Sequence, residues 1–418
     1  MLSAAPTYGT NATLQYNTAV ARTSGAEWVS PFMATGGIVI KNTGEITPSS
    51  PTVQIGNNTN VPLTINSGAT LVADHMRLIL HGDLTVEGNL TGSGTLDFGG
   101  TYSSQSISGY TYPGNMVLSK TSGTATFLGN VSCSGLTVNG SGGTLNLGTS
   151  LIHTISGDVN ILAGTLNGGS STVNMKGVAA SWGGAPLGFS AGTGTVNFSA
   201  SGDQFITGAG IFNNLSLSGS GTKRFSVIFS ASGFSIGGTA MADLGLASSS
   251  CATLSLGGIG QTAGTWGGAH SSASIKNSTW FVDSSGILTV ASSTCSAGYW
   301  TGITSSDWSD PTNWCSGQVP DANTDVFILP GGHQPSISTD AICRNLTIQA
   351  DAIIDMIGSN TLSIKGNVQN NSLAVLGFSG GTVVLNGTDQ TIGGYPLTFF
   401  NLTIANSVAV VAVGTCSL

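Results

Sequence analysis

Charge is scarce in this chain: Asp, Glu, Lys and Arg together make up 7% of 418 residues, where an ordinary soluble domain carries roughly a quarter. Only 10 Lys and Arg stand against 18 Asp and Glu. No basic run exceeds the pair Lys223-Arg224, so the phosphate-neutralising footprint of a nucleic-acid binder is missing. No stretch offers about 18 consecutive apolar residues, so nothing in this chain reads as a membrane span. The opening "MLSAAPTYGTNATLQ" lacks a basic segment followed by a long apolar one; it is no secretory signal, and an exported protein would carry its signal outside this sequence. The five histidines show no metal-ligand spacing, no GxSxG elbow occurs, and the six cysteines form no CxxC pair. Zinc ribbons, thioredoxin-like sites and α/β-hydrolase nucleophiles are thereby set aside.

The cysteines are Cys133, Cys251, Cys295, Cys315, Cys343 and Cys416. Their even number reads as disulfides formed in an oxidising compartment, Cys315–Cys343 first and Cys251–Cys295 second. Such a bridge adds ~3–4 kcal/mol by loop entropy. The alternative is that all six are buried small hydrophobes.

What the chain has in excess is glycine, 62 residues, with Ser, Thr and Asn supplying a wettable surface in place of charge. The pentad "GT-hydrophobic-x-hydrophobic" recurs as "GTLDF" (94–98), "GTLNL" (143–147), "GTVNF" (194–198) and "GTVVL" (381–385), with "STVNM" (171–175) as a variant. A Gln-led element follows several of them: "QSISG" (105–109), "QFITG" (204–208) and "QTIGG" (390–394). A third element is "NLSL" (214–217) or "NLTI" (345–348 and 401–404). Residues 194–217 and 381–404 carry all three, with almost every landmark in register. In "TVNF", Val196 and Phe198 face one way and Thr195 and Asn197 the other, the period of a half-buried strand. Narrow aliphatic inward positions with Gly and Asn at the corners point to a mainly parallel β-solenoid, an all-β fold.

One stretch tempts toward a helix, "LVADHMRLILHG" (71–82). Residues 63–86 align with residues 346–369, where "IGSNT" is a turn, so Leu78 and Leu80 read as strand and Asp74 to Met76 as a corner. The expected organisation is a solenoid over 1–235, a β-rich terminal or capping segment over 236–296, and a second, truncated solenoid module over 297–418. Five of the seven tryptophans lie at that junction: Trp266, Trp280, Trp300, Trp308 and Trp314. An open solenoid exposes strand edges and a raw core at its ends, so clustered aromatics there read as caps rather than carbohydrate platforms.

The segment carried by Trp300, Gly302, Asp307, Trp308, Asn313, Trp314, Gly317, Pro320, Asp325, Val326 and Ile328, with "CRNLTI" after it, resembles the repetitive secreted surface proteins of Bacteroidota. The opening "PTYGTNATLQYNT" and the run "QTAGTWGG…GILTV" are similar to segments of the same large proteins. The resemblance implies an extracellular or cell-surface location, export by type IX secretion, and an adhesin, stalk or matrix role. It also implies that this chain is a fragment, since the C-terminal sorting domain of that family is missing. In such proteins a Cys after "NW" often accompanies one before "NLTI", which supports Cys315 with Cys343.

Catalysis needs a concentration of acidic and basic side chains that is hard to find. Asp74, His75 and Arg77 gather near one corner, with His81 and Asp83 one strand later; they form the candidate ligand-binding set, weighed against an ordinary solvated turn. Asp307, Asp310, Asp321 and Asp325 are the candidate calcium ligands, weighed against ordinary turn aspartates, because they follow no EF-hand spacing. No other cofactor is expected. Outward threonines (Thr85, Thr95, Thr172, Thr195, Thr382 and Thr403) suit an ice- or crystal-binding face, but strand propensity alone places them there. The expected function is a non-catalytic structural or adhesive repeat protein whose partners are surface glycans or matrix components. The main alternative is a polysaccharide-binding or polysaccharide-cleaving module.

Overall fold

The computed structural model describes residues 2, 4–184, 188–208, 210–330, 333–373, 376–412 and 416–417. Nearly all regular structure is β, and about 19 turns of parallel strands stack into a β-solenoid. The chain divides into two compact units, residues 1–250 and 251–418.

In the first part of the first unit a turn lays down three short strands, and further along some strands fuse into longer ones such as Gly135–Asn146 and Val159–Asn167. One turn runs through Arg77–Leu80, Leu84–Val86 and Asn89–Thr91, and the next begins at Thr95–Phe98. Arg77 then lies beside Thr95, and elsewhere Ile38 lies beside Leu63, so a turn consumes 18 to 25 residues. The stretch 71–82 is corner and strand as expected, with Leu78 and Leu80 buried. Inward positions hold Leu, Ile, Val and Phe in vertical ranks such as Val173, Val196 and Leu215. Outward polar residues also stack: Asn197 donates to Asn174 at 3.0 Å, and Ser218 donates to Asn197 at 2.9 Å. The parallel ladders continue past residue 235, since Thr239–Asp243 still pairs in register with the strand Ser220–Phe225.

The second unit opens with a different pattern. Leu256 pairs antiparallel with Ile259, and Gly264–Gly267 pairs antiparallel with Ile287–Val290. A short parallel pairing joins Trp266 to Ile275, and the regular parallel stack runs from Val326–Ile328 to Leu346–Ile348, then Val368–Asn370, then Asp389–Gly394. Its core contains Trp300, Trp308, Trp314 and the inward aliphatics of these strands.

The twin sequences at 194–217 and 381–404 each describe one complete turn. Thr195–Phe198 lies directly against "NLSL", with Val196 beside Leu215; likewise Val383 lies beside Leu402. The Gln between them points inward and is sealed from solvent in all three occurrences, Gln105, Gln204 and Gln390. Gln204 donates to the carbonyls of Met175 and Gly177 at 3.0 and 3.1 Å. Gln390 donates to Ile364 and Gly366 at 2.9 and 2.6 Å, and Gln105 to Leu80 and Gly82 at 3.1 and 2.5 Å. Each thus clamps a corner of the preceding turn, "MKG", "IKG" or "LHG". The corner needs glycine, because a Cβ at Gly177 would fall onto the Ser156 carbonyl. Unpaired buried carbonyls are costly, so an inward amide spanning two of them is stabilising. Lys223 stacks on Gln204 and does the same one turn later: its ammonium donates to Ala200 at 3.1 Å, Gly202 at 2.7 Å and Ser220 at 2.9 Å.

Candidate functional site

Four of the five candidate residues of the first unit occupy two corners at opposite ends of one strand, and Arg77 begins that strand. Asp74 and His75 precede Arg77–Leu80, and His81 and Asp83 follow it. His75 adopts φ 51° in the corner, and its imidazole lies 3.5 Å from the Asp74 carboxylate in open solvent. Asp74 also accepts from the Ser93 hydroxyl at 2.6 Å and its amide at 3.1 Å, which hold its carboxyl below the usual range. Asp83 accepts from Asn60 at 2.8 Å on one oxygen and from the Ser106 amide at 2.7 Å on the other. His81 Nδ1 accepts the Asn58 amide at 3.0 Å; burial, then the nearby Lys120 ammonium, push its pKa down. Most of these polar atoms therefore tie one turn to the next, and the five do not converge.

The residue around which this surface is organised is Asp97, which sequence reading passed over. It sits mid-strand in "GTLDF", yet it is fully buried. The Arg77 guanidinium lies over it through two nitrogens, one at 2.9 Å, and the Ser119 hydroxyl donates to its other oxygen at 2.5 Å. The signal was available, since Arg77 and Asp97 are one solenoid turn apart. The same spacing pairs Arg344 with Asp325, and Arg224 with Asp203 at 3.2 Å. Lys120 is also buried, and burial draws its pKa down to about 8.

In the second unit, Trp300, Trp308 and Trp314 form one buried aromatic box. Trp314 meets Trp300 and Trp308 edge-on at 4.9 and 4.6 Å, and Trp300 stacks on Trp308 at 6.3 Å. Trp300 Nε1 donates to the His333 carbonyl and Trp314 Nε1 to the Trp308 carbonyl, both at 2.7 Å. Asn313, fully buried, ties the loop around them. Its oxygen accepts the Thr304 and Ser305 amides at 2.9 Å each, and its nitrogen donates to the Ser305 hydroxyl at 3.0 Å and the Asp307 carbonyl at 2.9 Å. Trp266 is buried separately, while Trp280 is not.

The disulfide assignment needs correcting. Cys315 bonds to Cys295, with Cα atoms 5.5 Å apart, and not to Cys343; Cys251 is likewise not bonded to Cys295. Cys133, Cys251 and Cys343 are free, buried thiols whose pKa values burial pushes up to about 12. The physical reason is direction. Cys343 ends an inward-facing strand stacked under Ile364, whereas Cys315 follows Trp314 in the loop whose other arm begins after Cys295. The side chain of Cys416 falls outside what is described.

The four candidate calcium ligands are not brought together either. Asp307 accepts from Ser309, Asp310 from Thr312, and Asp321 from Asn323 and Thr324, each closing its own turn. Asp325 takes the Arg344 guanidinium, which draws its pKa down, and also Asn345. Among the described residues no group of three or more acidic, His or Cys side chains is placed to hold a metal, and no helix is long and apolar enough to cross a membrane. The threonine ranks are short: Thr172 lies beside Thr195, but Asn214 and then Gly233 continue that line.

Residues 299–388 match a domain of unknown function, DUF8693. The match starts at Tyr299, stacked on Phe327 at 4.6 Å, and runs through the strand Thr382–Leu385. No curated protein and no solved structure matches the chain.

Proposed function

We propose that this chain is a non-catalytic structural and adhesive solenoid of a bacterial cell exterior, part of a repetitive surface protein of the Bacteroidota kind. One observation carries the reading: the polar groups at the corners are engaged in joining successive turns. Asp83, Asp97, Asp203 and Asp325 each bond to a residue about one turn away. A general acid and its partner need free oxygens aimed at a common reacting atom. Carboxylates held by amides, hydroxyls and guanidinium groups of neighbouring turns build a stalk. The turn repeated at 194–217 and 381–404 keeps its inward residues and its Gln clamp while its outward residues vary, the pattern of a scaffold that displays different surfaces. The disulfide Cys295–Cys315 fits an oxidising exterior.

Beads coated with the purified chain should be retained on glycan- or matrix-coated surfaces above uncoated beads, and antibody against the chain should label intact source cells. A depolymerisation screen over soluble polysaccharides should give no turnover. Turnover lost on Asp74→Asn or Asp83→Asn would overturn the proposal.

A further inference from the structure

We propose that a cleft in the second unit, walled by Trp280 and Tyr299, binds a neutral saccharide. Of the five junction tryptophans, four are about 1% exposed and act as core; Trp280 is the exception, packed on Gly257 with part of its indole facing a hollow. Two adjoining hollows of about 140 and 420 Å³ share Asn277, Thr279 and Thr301, and together they reach the ~300–1,000 Å³ typical of small-ligand sites.

The lining has the chemistry of a sugar. Tyr299 is held by its stack on Phe327. Asn277 is fixed because its Oδ1 accepts the amides of Thr279 and Trp280 at 3.0 and 3.2 Å. Its Nδ2, the Thr279 hydroxyl, the Trp280 indole N–H and the Tyr299 hydroxyl make no hydrogen bond among the described residues. A pyranose presents a C–H face that lies on an aromatic ring and a rim of hydroxyls that neutral amides and hydroxyls bind. A purely apolar ligand would leave these donors without partners. A phosphorylated one would need more cation than Lys276, whose ammonium is drawn to the Ala269 carbonyl at 2.9 Å. No carboxylate lines either hollow, so the site holds its ligand without an acid–base pair to cleave it.

This inference rests on the adhesive reading and names its ligand class. The test uses the full chain with short neutral oligosaccharides of glucose, N-acetylglucosamine, mannose and xylose, followed by saturation-transfer NMR and tryptophan fluorescence. At least one series should bind and shift the tryptophan emission. Trp280→Ala should weaken that binding about tenfold or more with the melting temperature unchanged, and Trp280→Phe should restore part of it. Binding that survives Trp280→Ala would overturn the cleft and leave glycan adhesion standing elsewhere on the chain. No binding by any series would overturn the cleft as a neutral-sugar site, while bead retention would still judge adhesion independently.

Discussion

Raising the pH from 7 to 9 should stabilise the first unit, which is unusual for a protein with an acidic composition. The perturbed groups are Lys120 and Lys223, both sealed from solvent, whose pKa values burial lowers from 10.5 to about 8. Between those two values the unfolded chain holds more protons than the folded one, so stability rises with pH. For a pKa of about 8 folded and 10.5 unfolded, linkage gives about 1.4 kcal/mol per lysine between pH 7 and 9, or ~3 kcal/mol for the two. That figure is a ceiling, because the three carbonyls around the Lys223 ammonium favour its charged form. Above about pH 9 the Cys133 thiol works the opposite way: its pKa rises from 9.0 to about 12 on folding, so stability falls as the unfolded thiol ionises. Buried tyrosines add to the fall above about pH 10, Tyr112 among them, its pKa raised to about 12. The stability curve should therefore peak between about pH 9 and 10. Calorimetry across pH 7–10 would trace it, with a rise of several degrees on the scale expected for a domain of this size. Lys223→Gln should keep two of the carbonyl bonds, as Gln204 does one turn below, and remove about half of the pH dependence. A flat or falling curve between pH 7 and 9, or an unchanged slope in Lys223→Gln, would refute the reasoning.

Gln204→Leu should destabilise its turn by about 2–4 kcal/mol, because the Met175 and Gly177 carbonyls lose their donor inside the core; hydrogen exchange of the flanking strands would read it. Gln105→Leu should cost less, since the Gln105 side-chain oxygen has no partner among the described residues and its removal relieves a penalty. Peptide mapping without reductant should recover Cys295 joined to Cys315, and reduction should lower the stability of the second unit by ~3 kcal/mol; a Cys315–Cys343 peptide would contradict the fold of the loop. Asn313→Ala removes four hydrogen bonds at a buried site and should cost about 3 kcal/mol or more, whereas Asp310→Ala, an exposed cap, should cost about 1 kcal/mol. Calcium and chelator should leave the melting temperature of the second unit unchanged; a rise with calcium would show that the turn aspartates can rearrange around a cation.

Much of the fold was legible because solenoid strands are local in pattern. Alternation in "TVNF", the Gly-rich corners and the twin stretches identified strand, corner and repeat without knowledge of contacts. The same reading saw Gln recur and could not say why, because its partners are carbonyls of the previous turn, which carry no sequence signature. Asp97 was missed for a related reason: an outward Asp in a strand looks solvated unless the turn length is used to place Arg77 over it. The disulfide failed differently. Cys343 and Cys315 both follow or precede recognisable motifs, but whether a thiol faces core or loop is decided by strand parity, and Cys343 falls on the inward parity with Ile364.

The interchange of Gln and Lys at one inward position shows what selects residues in this frame. Gln204 and Lys223 are register partners, and each reaches back to the two carbonyls of a corner ending in glycine. The geometric demand is for donors on a flexible arm; the charge is incidental and unfavourable. A lysine that clamps as well as glutamine but carries a buried proton costs the turn stability at neutral pH, a penalty that glutamine turns do not carry and that fades above about pH 8. The corner therefore constrains shape and donor count, and leaves net charge free. The same division holds outside, where register fixes which residues stack and chemistry is free to vary. At the junction that freedom leaves Trp280 facing solvent while its neighbours hold the core. Substituting Trp280 should therefore change what the chain binds and leave how it folds untouched, the reverse of substituting Trp314.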